Sequence, residues 1–444
     1  MFASLATALT FFSTAALLAR AATLPPHLRP RAANTADFTP GFPYGSEKVR
    51  GVNLGGWLVL EPWLTPSLFD NAGNAAIVDE YTFGQYQDPA IARAALKAHW
   101  DTWITEADFA QIASVGLNHV RLPIGYWAWD VSGGEPYVQG QLPYLRKALQ
   151  WAQKHALKVV IDLHGAPGSQ NGFDNSGQKR DRPTWQDRQA NVDRTNAVLG
   201  AIVGEFGLET AVAPAIAPLN EPAGFYGELV LNVTKQYWRE SYATIRCVPE
   251  STSPSDPVVL IHDAFQPLDY WHGFAEGKVG MALDTHIYEV FDNTLLARNT
   301  TEHIDALCAR GPALAKFAAT QNMWAIVGEW TPAMTDCAKY LNGRGVGARW
   351  DGTHDASVPA LGSCEGKTGV GSSFSDEYKV ELRKLWETQV IAFERGSGWI
   401  QWMWKTEEGD DWSYKAGIEH GWIPRDPTDL RHAGICDGVW ASMS

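Results

Sequence analysis

The chain has 444 residues, 45% apolar and 19% charged, which is ordinary for a globular protein and fits one large domain or two or three smaller ones. Its net charge of -14 and the lack of any long basic run exclude nucleic acid and anionic membrane as electrostatic partners, and leave neutral ligands open. Tryptophan is the outlier at 20 copies; indole faces suit sugar rings, but they equally suit a large core, which accounts for most of them.

In chain order, the first feature is an uncharged apolar run from Leu5 to Leu18, followed by Ala19-Arg20-Ala21. Its length and small-residue exit are those of a secretory signal peptide, although no charged side chain precedes it. It is shorter than the ~20 residues a membrane span needs, and no later stretch could span one. Residues 1–22 are therefore set apart as signal peptide, 23–41 read as a pro-segment or flexible lead, and 42–444 as a single catalytic domain.

Eight short apolar runs follow: VRGVNL (49–54), HVRLPI (119–124), KVVIDLHG (158–165), AIAPLNEP (215–222), PVVLIHD (257–263), MALDTHIY (281–288), WAIVGEW (324–330) and GWIQWMWK (398–405). They are continuously apolar rather than alternating, as strands of a parallel sheet buried on both faces are. Between them the spacing predicts helices over 102–115, 143–155, 183–206, 235–246 and 376–394. Buried strands alternating with helices predict an α/β fold, a (β/α)8 barrel. An open doubly wound sheet calls for a G-x-G-x-x-G turn after its first strand, and GVNLGGW does not supply one. Two stretches, 61–90 and the glycine-rich 340–373, read as long loops.

Five cysteines stand at 247, 308, 337, 364 and 436, and sequence alone allows many pairings. Cys337 and Cys364 flank most of the second loop, so a local bridge is one of them. No Cys/His spacing suggests structural zinc. Asn232-Val233-Thr234 and Asn299-Thr300-Thr301 are glycosylation sequons if the chain is secreted.

Reactive groups of such a barrel sit at the C-terminal ends of its strands. There the runs carry Arg121, Asp162 and His164, Asn220 and Glu221, His286 and Tyr288, Glu329, and Trp402 and Trp404. Each alone has a structural reading: an ion-pair partner, a hydrogen-bonded core histidine, a solvated carboxylate. Their common placement at one rim is what points to a site. Two glutamates there suit glycoside hydrolysis, in which one carboxyl protonates the leaving oxygen and the other serves as nucleophile or as base toward water. Pro222 withdraws a donor and ends the ladder just where Glu221 is needed.

RGVNLGGWLVLEPWLTPSLF (50–69), VRLPIGYW (120–127), DLHGAPGSQNGFDNSG (162–177), LNEP (219–222), HIYEVF (286–291), GEW (328–330) and WMWK (402–405), taken together and in order, resemble the fungal exo-β-1,3-glucanases of glycoside hydrolase family 5. The resemblance runs from about residue 42 to the last cysteine. It implies Glu221 as acid/base and Glu329 as nucleophile, with Arg121, His164, Asn220, His286, Tyr288 and Trp404 around them. It further implies Glu61 as a sugar contact at the closed end of the pocket, and Phe173 and Phe291 as an aromatic pair gripping the next glucose at its entrance. Relatives carry two disulfides, which by order pair Cys308 with Cys436 and Cys337 with Cys364 and leave Cys247 free. The implied enzyme is retaining and free of cofactor and metal, and nothing in the sequence demands more than a monomer. It is secreted, acts outside the cell or in its wall, and releases glucose from non-reducing ends of β-1,3-glucan, with transfer to other sugars as a second outcome. Retention requires the two carboxyls ~5 to 5.5 Å apart. Other readings on the same scaffold are a β-1,6 or endo-acting glucanase and a non-catalytic glucan-binding wall protein.

Overall fold

The computed structural model describes residues 38–246 and 256–443; the expected signal peptide, the lead as far as residue 37 and Cys247 lie outside the described residues. Eight parallel strands close into a barrel in chain order: β1 Val49–Asn53, β2 His119–Gly125, β3 Lys158–Gly165, β4 Ala215–Ala217, β5 Val258–His262, β6 Met281–Ile287, β7 Trp324–Trp330 and β8 Gly398–Gln401, which pairs back onto β1. Each expected run holds one strand. Two are only about half as long as their runs: pairing in β4 stops before Pro218, which has no N–H to give, and β8 ends before the aromatic-rich residues that follow Gln401.

Nearly every strand residue is buried, because one face packs on the barrel interior and the other on the helices. At the N-terminal end of the barrel, Val160, Ala215, Leu260, Ala282, Ile326 and Ile400 form one apolar cluster, plugged by Phe42 and Tyr44. Phe38, within the expected lead, lies 6.5 Å from Trp324. The outer cluster carries Val52, Val120, Ile161, Ile216, Val259 and Val327 against the helical layer.

Four of the expected helices are found, as Leu142–Lys154, Gln189–Phe206, Glu228–Ile245 and Asp376–Phe393. The helix expected over 102–115 is found shortened, as Glu106–Ser114: a separate helix, Pro89–Thr102, ends where it was expected to begin, and Thr105, whose backbone N–H is taken by the Asp108 carboxylate in a capping box, starts it. Helices Thr300–Cys308 and Arg310–Thr320, between β6 and β7, were not expected.

The disulfides Cys308–Cys436 and Cys337–Cys364 are those the resemblance implies. The second closes the glycine-rich loop, which has almost no regular structure but is pinned from within. The buried Asp336 carboxylate accepts from the backbone N–H of Arg349 and Trp350 and from the Asn342 amide.

The rim that faces these loops is shaped by one irregularity. Pairing of β6 with β7 slips by one residue, from Thr285–Val327 to His286–Glu329, so Gly328 is the extra residue of a bulge. Its N–H donates to Asp284 Oδ1 at 2.8 Å, and a Cβ there would lie 2.1 Å from that oxygen. Only glycine fits, which accounts for the Gly in Gly-Glu-Trp and aims Glu329 inward.

Candidate active site

Arg121, on β2, stands at the centre of the rim. Its guanidinium donates to Glu329 Oε1 (2.8 Å), Asn53 Oδ1 (3.0 Å) and Asn220 Oδ1 (2.7 Å), and lies 3.2 Å from Asp162 Oδ2. It is 1% exposed. Burial works against its charge, but the carboxylates of Asp162, Glu329 and Asp284 outweigh that and hold it firmly protonated. Asn53 and Asp284 are the members of this cluster that carry no signal of their own in the sequence.

Glu329 has its other oxygen bonded by Tyr288, whose hydroxyl donates at 2.9 Å. Glu221 occupies an unusual position for a glutamate, with φ at +46°, in the left-handed region that side chains avoid. Such strain is characteristic of functional residues. Its carboxyl meets His286 Nδ1 at 2.7 Å and accepts from the Asn175 amide at 3.3 Å. The same His286 nitrogen lies 3.4 Å from Glu329 Oε2. Oxygens 2.7 and 3.4 Å from one atom are at most about 6.1 Å apart, which accommodates the ~5 to 5.5 Å carboxyl separation of retaining enzymes.

Proton placement follows from these contacts. Burial opposes charge on His286, but Glu329 and Asp284 raise its pKa well above the ordinary value. Burial likewise pushes the carboxyls of Glu329 and Glu221 up; in Glu221 the His286 hydrogen bond and charge win, so that it lies below the usual glutamate range, while Glu329 stays above it. The free site thus keeps its mobile proton on the 2.7 Å His286–Glu221 bond, mostly on nitrogen.

His164 is fully buried, bonded through Nδ1 to Asp162 (2.6 Å) and through Nε2 to the Asn220 amide (3.3 Å). Asn220 thereby spends Oδ1 on Arg121 and one amide hydrogen on His164, leaving one hydrogen for a ligand.

Beside the carboxyls opens a cavity of about 510 Å³. Its inner wall is buried: Glu61, Trp63, Trp402 and Trp412. Glu61 Oε2 accepts from Trp63 Nε1 at 3.0 Å, and Oε1 has no partner among the described residues. Burial pushes its carboxyl well above the ordinary value, so a hydroxyl donor from a ligand would be welcome there. Phe173 and Phe291 also line the cavity and are exposed.

The structure places Trp404 elsewhere. It is fully buried away from the cavity, donates to Asp108 Oδ1 at 3.0 Å and packs beside Tyr414; Trp402 is the tryptophan that faces the cavity, with its ring 5.7 Å from His164. Among the described residues, Glu221, His262 and His286 are the one group close enough to hold a metal ion, within 4.8 Å of one another. Their lone pairs are committed, since His262 Nδ1 accepts from Ala264 N–H and Glu221 is joined to His286. Of the sequons, Asn232 is exposed on the helix Glu228–Ile245, and Asn299 is exposed while its Oδ1 caps the helix Thr300–Cys308.

Residues 84–260 match the family model "Cellulase (glycosyl hydrolase family 5)". The chain is 44% identical to glucan 1,3-beta-glucosidase of Blumeria graminis over 88% of this chain and 89% of that one. It is 42% identical to a probable glucan 1,3-beta-glucosidase A of Aspergillus niger over 95% and 96%, and 43% identical to glucan 1,3-beta-glucosidase of Candida oleophila over 88% and 92%. Among solved structures, the rutinosidase of Aspergillus niger superposes with a TM-score of 0.64 at 18% identity, covering 86% of this chain and 99% of that one. That likeness is one of fold.

Proposed function

The chain belongs to glycosyl hydrolase family 5, and from that premise we propose that it is a retaining exo-β-1,3-glucosidase, removing glucose from the non-reducing ends of β-1,3-glucan. The observation that carries this is the convergence of Glu221 and Glu329 on one imidazole nitrogen at the mouth of a pocket with a buried inner wall. Relatives named glucan 1,3-beta-glucosidase, 42 to 44% identical over most of the chain, support release from chain ends.

The terminal glucose occupies the inner wall, where Glu61 accepts from its hydroxyls and the remaining Asn220 N–H reaches the 2-hydroxyl. Glu329, held by Arg121 and Tyr288, attacks the anomeric carbon while the bond to the glycosidic oxygen breaks. Glu221 gives that oxygen its proton, and the shortened glucan leaves past Phe173 and Phe291. Glu221, now a carboxylate, takes a proton from water, whose oxygen displaces Glu329 from the anomeric carbon. Two inversions give β-glucose. A sugar hydroxyl in place of that water gives transfer instead, so the same site can remodel glucan.

Secretion and action in or near a cell wall, as a monomer, complete the reading. Two disulfides suit an oxidising compartment, and no helix among the described residues is long and apolar enough to cross a membrane. Products from laminarin, followed by NMR, test it: β-glucose alone at early times is expected. A ladder of oligosaccharides from the outset, or α-glucose as first product, would overturn the exo or the retaining assignment respectively.

A further inference from the structure

Along the wall that continues from Glu221, Phe225 meets three further exposed aromatic rings. Phe225 is 56% exposed and Tyr226 47%, large fractions for such rings. Phe225 lies 5.1 Å from Tyr226, 5.3 Å from Phe265 and 6.5 Å, nearly parallel, from Phe173. Tyr226, Phe265 and Phe173 line the cavity, and Phe225 joins them from beyond it. The strip is therefore continuous with the pocket.

Its backbone is built to hold these rings in water. Residues Gly224–Tyr226 form a single tight turn. A Cβ on Gly224 would sit 2.5 Å from Ala264 O, and Gly227 has φ +112°, so glycine is required on both sides. The Tyr226 hydroxyl donates to Asp181 O at 3.2 Å, and Ala223 N–H donates to Gln170 O at 3.0 Å. Rings fixed in this way lose little entropy when a ligand covers them.

We propose that Phe225 and Tyr226 form a stacking platform for the leaving-group side of the glucan, taking glucose units beyond the two held by the pocket and its entrance. The placement carries the direction. The turn follows Glu221 by three residues, and Glu221 protonates the departing oxygen, so whatever departs does so over this wall. This rests on the β-1,3-glucan activity proposed above.

The test compares wild type with Phe225→Ala on three substrates: an aryl β-glucoside, the β-1,3-linked glucose dimer and the pentamer. The expected result is a KM for the pentamer raised about tenfold, or about 1.4 kcal/mol, with kcat nearly kept and little change for the two short substrates. Unaltered pentamer KM overturns the platform. So does an equal change on all three substrates, which would mark a disturbed pocket, or a change on the aryl glucoside alone, which would mark a seat for aromatic aglycones. A wild type inactive on β-1,3 oligomers refutes the parent activity instead, and is told apart by needing no variant.

Discussion

Replacing Tyr288 by phenylalanine removes one oxygen and little else. The ring keeps its packing against Phe291 at 5.3 Å and Trp412 at 5.7 Å. What goes is the 2.9 Å hydrogen bond to Glu329 Oε2. Burial holds the tyrosine well above its ordinary pKa, so it is a neutral donor throughout the working range. A hydrogen bond to a buried charge contributes about 1.5 to 3 kcal/mol. It acts only on the ionised form of Glu329, and one pKa unit is about 1.4 kcal/mol, so its loss raises the Glu329 pKa by about 1 to 2 units. The direction is upward because the deprotonated state loses its partner. Activity needs that state, so the acid limb of kcat/KM on an aryl β-glucoside moves to higher pH by the same amount, and kcat above the limb changes less. An acid limb that stays in place while kcat collapses would refute the reasoning, and would assign the hydroxyl to the sugar rather than to the nucleophile.

Glu221→Gln should slow β-1,3-glucan turnover by about 10²- to 10⁴-fold, yet leave a burst of phenolate from a dinitrophenyl glucoside, whose leaving group needs no proton; absence of the burst in stopped flow would deny Glu221 its acid role. Trp404→Phe should cost about 1 to 3 kcal/mol in urea unfolding by stranding part of the Asp108 carboxylate, with kcat on an aryl glucoside unchanged; a rise in KM at full stability would return the ring to the sugar. Burial raises Asp411 from 3.8 to about 8, and one of its oxygens has no partner among the described residues. Its folded pKa lies above the unfolded one, so its contribution is complete below the unfolded value and is lost as pH rises through about 8. Asp263 and Glu80, each raised by burial to about 7, act in the same sense. Melting temperatures should therefore fall between about pH 6 and 8, where these three groups ionise, and Asp411→Asn should flatten the upper part of that fall; an unchanged slope counts against it.

The barrel was legible because its strands are buried on both faces, and eight apolar runs with polar ends leave few other architectures. Helices were less so. Thr102 to Val115 has an unbroken apolar spacing, but the Thr105 cap, a local hydrogen-bond choice, delays the start of the helix to Glu106. The two glutamates were legible from chemistry and position. The network around Arg121 was legible in part: its strand-end position placed it beside Glu329, but nothing local announces Asn53, 68 residues away, as its partner. Trp404 shows a failure of parity. Residues 402 and 404 would share a face in a continuing strand, but pairing ends at Gln401 and the chain turns, sending one ring to the cavity and the other to the core.

The reach of Arg121 has a kinetic consequence. Its guanidinium is bonded to groups on β1 and β7 and on the segment after β4, so its cluster cannot assemble until all of them are in place. Local helices form quickly, whereas contacts closing hundreds of residues form late. During refolding from urea, far-UV ellipticity should return first and glucosidase activity last, because the nucleophile acquires its charge partner only when the ring of strands is closed.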